Sequence, residues 1–275
     1  MISAFLTYFA LRGALAAPFS ILADECTREV LRAHTDAYIA AQTSGNPSAL
    51  VSIASPSINY TEDFAVRNLS TGSVLTTPLK IDLHRSLLDT TQCATYTELI
   101  ASDPALPRVI GTQMRFDPTG KSLVKMESLV TQPGDWAFNA TLTLQYAQRE
   151  VGLWNFIAED ERDTRETIQK AADAYLDLFN DKGVEVPWGT PCNRLEGSWY
   201  TGNGSLTDSC DVGVPDGVPI TQRRYVIAEV LGAVDTFVVF GTGGRPDSHE
   251  FRVENGRLRF VHTLTVMRNV TGLTA

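Results

Sequence analysis

Apolar positions recur every three to four residues in two stretches of the chain, and the two stretches read alike. In the first, Val30, Leu31, His34, Tyr38 and Ala41 fall on one face of a helix; in the second, Ile168, Ala171, Ala172, Tyr175 and Phe179 do the same. Thr27-Arg28-Glu29 leads into the first stretch and Thr164-Arg165-Glu166 into the second. That offset of 137 residues, from 27 to 164, also carries Asp36-Ala37-Tyr38 onto Asp173-Ala174-Tyr175 without a gap. Gly45 and Gly183 are placed to end the two helices.

Beyond each helix the apolar period drops to two, and turn signals such as Asp117-Pro-Thr-Gly120 and Asn255-Gly256 separate the runs. The pattern predicts an α+β fold of two tandem repeats, each an N-terminal helix packed against a curved, cone-like antiparallel sheet. The mixed-charge segment 149–163 has no clean period and reads as the connection. The expected divisions are a signal peptide over 1–17, a first domain over 18–157 and a second over 158–275, with Ile157 at the boundary.

The first 17 residues carry one charge, Arg12, and end in Ala14-Leu15-Ala16-Ala17, a small-residue pattern suited to signal peptidase. N-x-Ser/Thr acceptors stand at Asn59, Asn68, Asn139, Asn203 and Asn269, and Pro47 excludes Asn46. Cys26, Cys93, Cys192 and Cys210 lack zinc-type spacing and read as disulfides. Pairing 26 with 93 and 192 with 210 keeps each bridge within one repeat. Together these features predict a glycoprotein that is secreted or held in the secretory-pathway lumen, with no membrane anchor once the leader is cut. The net charge of −9 argues against nucleic acid or an anionic membrane surface as partner. A small-molecule metabolite is the expected ligand, with homo-oligomerisation as an option.

The element order resembles the nuclear-transport-factor-2-like superfamily, which includes the SnoaL-like polyketide cyclases. Several segments resemble a family of secreted filamentous-fungal proteins of unknown function. These are Val186-Pro-Trp-Gly-Thr-Pro-Cys192, Arg223-Arg-Tyr-Val226, Leu231-Gly-Ala-Val-Asp235, Pro246-Asp-Ser-His-Glu-Phe-Arg252 and Val261-His-Thr263. That resemblance implies small-molecule chemistry of secondary metabolism and carries over no catalytic residues.

The hairpin around Asn255-Gly256 holds the leading candidates. In a plain two-residue turn, Glu254 faces Arg257, Phe251 faces Phe260 and His249 faces His262. Asp247, His249, Phe251 and Val253 then share a face with Leu258, Phe260, His262 and Leu264. His249 as base and His262 as acid, with Asp247 orienting an imidazole, would move protons near neutral pH. Tyr225, Tyr200, Trp188 and Trp199, with Phe251 and Phe260, are the expected substrate-binding aromatics. Structural histidines and a two-histidine, one-carboxylate metal set are the competing readings of the same residues. Tyr60, Glu62, His84 and Asp89 are weaker candidates for a second pocket. His34 reads as core, and Arg223, Arg224, Glu229 and Asp235 as exposed cross-strand pairs.

Phosphate-loop, dinucleotide, zinc-protease and nucleophile-elbow patterns are absent from the sequence. The reading is therefore a cofactor-independent isomerase, dehydratase or cyclase with no cofactor and no metal. A non-catalytic ligand-binding or effector glycoprotein is the alternative.

Overall fold

The computed structural model describes residues 26–268, so the expected leader and Asn269 lie outside the described residues. Helix α1 spans Arg28–Ser44 and α4 spans Arg165–Asp177. Each starts on the same cap: Thr27 accepts a hydrogen bond from the Val30 amide at 3.3 Å, and Thr164 from the Thr167 amide at 3.2 Å. Such caps each contribute about 1 kcal/mol. Gly45 ends α1 in the left-handed region at φ 68°. Gly183 does not end α4, which stops six residues earlier at Asp177.

Short helix α2 (Ser48–Ile53) leads into the first sheet, β1 (Ala54–Glu62), β2 (Ala65–Val66), β3 (Leu83–Asp89), β4 (Ala94–Ala101), β5 (Arg108–Phe116) and β6 (Leu123–Thr131). Helix α3 (Ala140–Glu150) precedes α4. The second sheet comprises β7 (Trp188–Glu196), β8 (Trp199–Tyr200), β9 (Ile220–Ala228), β10 (Ala233–Phe240), β11 (Arg245–Glu254) and β12 (Arg257–Thr265). The strand orders are the same in both repeats, β2-β1-β6-β5-β4-β3 and β8-β7-β12-β11-β10-β9. Neighbours are antiparallel except for β1 with β6 and β7 with β12. Helix α3, which the pattern did not predict, ends at Glu150, where the segment read as the connection begins. Asn139 caps it by accepting from the Leu142 amide at 3.1 Å.

Both disulfides pair as expected, Cys26 with Cys93 and Cys192 with Cys210. The first ties the start of α1 to the β3–β4 turn, and the second ties β7 to the long loop before β9. Among the described residues no helix is long and apolar enough to cross a membrane.

Each sheet curves around its helix and turns its other face to the other sheet, so the chain is a built-in pseudo-dimer. Between the sheets pack Leu87, Tyr96 and Leu129 of the first repeat against Val226, Ala233, Phe237 and Phe260 of the second, with Trp154 at the edge. The central strands are consequently buried on both faces: every residue of β4 is buried, and so are eight of the ten in β11. Asp235 belongs to this layer. It is fully buried, accepting from Gln113 at 2.6 Å and Ser248 at 2.6 Å, so its expected place in an exposed pair is overturned by the first sheet, which covers it. Arg223 pairs instead with Asp173 and Asp177 of α4.

Phe237 touches Tyr96 edge-to-face at 6.2 Å in the middle of this layer. Phe237→Ala is expected to cost about 3–5 kcal/mol in urea unfolding, whereas Trp199→Ala, on a side chain 61% exposed, stays within about 0.5 kcal/mol. Equal effects would mean that the sheet–sheet layer does not carry the fold.

Candidate functional site

Strand alternation sends residues 247, 249, 251 and 253 of β11 toward α4 and residues 248, 250 and 252 toward the first repeat. What β12 opposes to them depends on register. The turn itself is as expected: Glu254 pairs with Arg257, and Asn255 and Gly256 have φ of 53° and 69°. One step further, Val253 pairs with Leu258 but Arg252 pairs with Phe260, so Arg259 is an extra residue in β12. The bulge moves His262 opposite Glu250 and Thr263 opposite His249. His249 and His262 therefore lie on opposite faces of the sheet. The expected His249–His262 pair does not form, nor does a metal set of His249, His262 and Asp247.

His249 lines a cavity of about 410 Å³ inside the second repeat, together with Arg194, Glu196, Thr263 and Thr265 among its polar residues. Its Nδ1 lies 3.0 Å from Asp247 Oδ2, close enough for an ion pair but out of line for a hydrogen bond, so both buried atoms lack one. Asp247 Oδ1 accepts from Thr265 Oγ1 at 2.7 Å. No described protein group hydrogen-bonds His249 Nε2, the ring nitrogen turned away from Asp247. Behind the imidazole stand Phe251, stacked at 6.0 Å, and Tyr175 of α4 at 5.7 Å. The Tyr175 hydroxyl is fully buried without a partner, and burial pushes its pKa up to about 12 although Arg194 draws it down. Arg194 itself is buried, paired to Glu196 and to the carbonyls of Cys210 and Val212, with its Nε unpartnered.

The other expected aromatics divide between two regions. Trp188 packs edge-on against Tyr175 at 5.8 Å, and Tyr225 donates to Asp173 of α4 at 2.6 Å, so both support the cone wall. Trp199 lines the cavity mouth. Phe260 and Tyr200 do not belong to this site. The bulge turns Phe260 into the sheet–sheet layer against Trp154, at 5.6 Å. Tyr200 stacks on Tyr146 of α3 and donates to Glu150 at 2.8 Å. The sequence reading missed Arg194, Glu196, Arg245 and Trp136, the last contributed to the cavity by the first repeat.

The first repeat provides an internal comparison. The 137-residue offset carries Tyr38 onto Tyr175 and Thr112 onto His249, and the registers carry Ser128 onto Thr263 and Glu62 onto Glu196. In the first cone these groups satisfy one another. Tyr38 bonds Thr112 at 2.7 Å, Thr112 bonds Ser128 at 2.9 Å, and Tyr60 donates to Glu62 at 2.5 Å. Glu62 also accepts from the Val74 amide, and Leu75 beside it is wholly buried, so the segment 73–77 closes this cone. Of the other second-pocket candidates, His84 is exposed on β3, and Asp89 is buried against Arg165 and the Ile227 amide. They do not join Tyr60 and Glu62. His34 stacks on Phe116 at 4.4 Å and bonds the Gly120 carbonyl, as a core residue should.

On the opposite face, His262 joins a buried charge cluster. Arg85 reaches Glu250 through Nε at 2.9 Å and Nη2 at 2.5 Å, and Glu98 at 3.0 Å, with its guanidinium 3.9 Å over Trp154. His262 Nε2 bonds Glu150 at 2.7 Å. Arg85 Nη2 is also 3.0 Å from Nδ1, a contact suited to a neutral imidazole. The charge balance decides otherwise, because three carboxylates against one guanidinium leave the cluster short of positive charge. Burial disfavours the charged imidazole, but pairing with Glu150 outweighs it and lifts His262 to about 9. Glu98, Glu250 and His262 are close enough to ligate a cation, and Arg85 supplies the positive charge at that place.

A family model described as Domain of unknown function (DUF8021) matches residues 161–265, the second repeat from just before α4 to the end of β12. No curated protein matches. Among solved structures, the crystal structure of BvnE pinacolase from Penicillium brevicompactum is similar over 46% of this chain and 97% of that chain, at 14% identity and a TM-score of 0.30.

The cluster makes stability depend on pH with a definite sign. His262 is raised in the fold, so its contribution is complete below about pH 6.5 and is lost as pH rises toward 9, roughly 3 kcal/mol in all. Asp63, raised by burial to about 6, acts in the same direction over a lower range. In Glu98 and Glu150 burial is outweighed by Arg85 and His262; both are lowered, and stabilise above the ordinary carboxylate range. Melting temperature should therefore be highest near about pH 5 and fall from there toward 9. His262→Gln should lower the peak and flatten the alkaline fall; an unchanged alkaline slope would place the titration elsewhere.

Proposed function

We propose that this chain is a cofactor-independent enzyme of small-molecule metabolism in the secretory pathway, moving protons within one substrate molecule in the second repeat's cavity. The observation that carries the proposal is the His249–Asp247 pair. An imidazole presents an unbonded Nε2 to a mostly apolar cavity of ligand size, with a buried carboxylate behind its other nitrogen. Nε2 takes a proton from an activated C–H of the substrate, and the imidazolium is held by Asp247. The electron pair left behind delocalises into an adjacent carbonyl near the Arg194 guanidinium. The same imidazolium then returns the proton to another carbon, giving an isomer, or to a hydroxyl that leaves as water. Because His262 lies on the other face, His249 serves as both base and acid.

Residence in the secretory lumen is supported by the two disulfides and by the exposure of Asn59, Asn68, Asn139 and Asn203. Enzymatic removal of N-glycans from the native protein should convert these acceptors to aspartate, read by peptide mass. Unmodified asparagines at all four would remove the glycoprotein assignment.

The chemistry is tested by metabolite profiling of a strain lacking the gene against its parent, followed by turnover of the accumulated compound with purified protein. His249→Ala is expected to slow turnover about 10²–10⁴-fold, with folding intact by circular dichroism. His262→Gln should lower stability while folded molecules keep the rate. Equal turnover by the His249→Ala protein sinks the mechanism; stoichiometric binding with the compound returned unchanged supports a carrier instead.

A further inference from the structure

We infer that the ligand of this cavity is a flat, largely apolar organic acid, its anionic group bound by Arg245 at the mouth and its ring system held by Trp136 and Trp199. This deepens the proton-transfer reading and rests on it for the position of the reacting end. Among the described residues, three charged side chains line the cavity beside His249: Arg194, Glu196 and Arg245. Arg194 and Glu196 neutralise each other. Arg245, the first residue of β11, is exposed, and its side chain has no hydrogen bond or ion pair among the described residues. In a protein with a net charge of −9, this cavity thus carries one unbalanced positive charge, placed at its rim. A guanidinium free of protein acceptors is shaped to take a carboxylate or sulfonate in a forked bond.

The aromatic part of the rim is held in place. Trp136 and Trp199 meet edge-to-face at 5.4 Å while remaining 43% and 61% exposed. Trp136 comes from the first repeat, on a loop that Asp135 fastens by accepting from the Met267 amide at 2.8 Å. Ser198 donates to the Ala137 carbonyl at 2.9 Å through its amide and at 2.7 Å through its hydroxyl. At Gly197, φ 58°, a Cβ would sit 2.6 Å from the Trp136 carbonyl oxygen, so the close approach of the two repeats at this rim needs glycine. A rigid aromatic edge binds planar rings at low entropic cost. The site is therefore completed by the partner repeat.

The test uses two unreactive dyes of one skeleton, anilinonaphthalene sulfonate and its uncharged counterpart phenylnaphthylamine, titrated by fluorescence into the full-length protein at low salt. The sulfonate should saturate at one equivalent and bind about tenfold or more tightly than the neutral dye. Arg245→Gln should bring the sulfonate down to the neutral dye's affinity and leave the neutral dye unchanged. Trp136→Ala should weaken both. Arg32→Gln removes an exposed arginine on α1, away from the cavity, and should change neither. Equal binding of the two dyes, no binding, an unaffected Arg245→Gln protein or an equal loss in Arg32→Gln each overturns the inference. No turnover is involved, so these results fail independently of the His249→Ala kinetics: loss of the Arg245 effect leaves proton transfer standing, and normal His249→Ala turnover leaves the acid-binding rim standing.

Discussion

Arg85 crosses from the first sheet to the second and grips Glu250 with two of its nitrogens while holding Glu98 of its own sheet. Glu250 is fully buried and Arg85 largely so, and separating the charges would leave an unpaired ion at a cost of about 3–5 kcal/mol. Ion pairs of this kind add little net stability over an apolar layer, but they are intolerant of rearrangement. Here they pin register. A slip of β11 by one residue would put His249 against Arg85 and bury Glu250 among Tyr175 and Phe179, so the slipped arrangement is strongly disfavoured.

The cavity inherits its chemistry from that constraint. With Glu250 committed to the interface, Asp247 and His249 must face the cone. The bulge at Arg259 then commits His262 to Glu250's side and brings Thr263 beside His249. The first repeat has the same bulge, with Arg115 opposite Lys125 and Phe116 opposite Leu123, skipping Val124. The extra residue is thus a property of the repeat and not a local accident of one turn. Without it, β12 would present His262 to the cavity and Phe260 with it, and the charge cluster would lose its imidazolium.

The repeat, the helix faces and the disulfide pairs were legible because the first two are patterns along the chain and each bridge stays within one repeat. Thr27 and Thr164 announce their helices, and Tyr38 and Tyr175 repeat at one spacing. The bulge was not legible: Asn255-Gly256 specifies a tight turn, and nothing in Arg257-Leu-Arg-Phe260 marks the residue that drops out of the ladder. Asp235 looked like a surface charge because alternation alone does not reveal that another sheet covers the other face. Glu196 had a signal that motifs alone do not show, since Glu62 occupies the same position in the first repeat and each is the last strand residue before a two-residue turn.

The duplication also separates what the fold requires from what it tolerates. One architecture, read twice, places Tyr38, Thr112, Ser128 and Glu62 in a closed hydrogen-bonded set, and places Tyr175, His249, Thr263 and Glu196 in an open one. The first set shows that the cone can satisfy every one of these positions with small hydroxyls and a capping segment. Unpaired buried atoms on Tyr175, His249, Asp247 and Arg194 are therefore not the cost of building a cone. Buried polar atoms without partners each forgo on the order of 1–3 kcal/mol, and the second repeat carries that penalty at Tyr175 and His249, whose counterparts Tyr38 and Thr112 bond each other in the first repeat. The economical physical account is that a ligand's polar groups belong in the arrangement, with the first repeat supplying a wall of the site and a closed scaffold behind it.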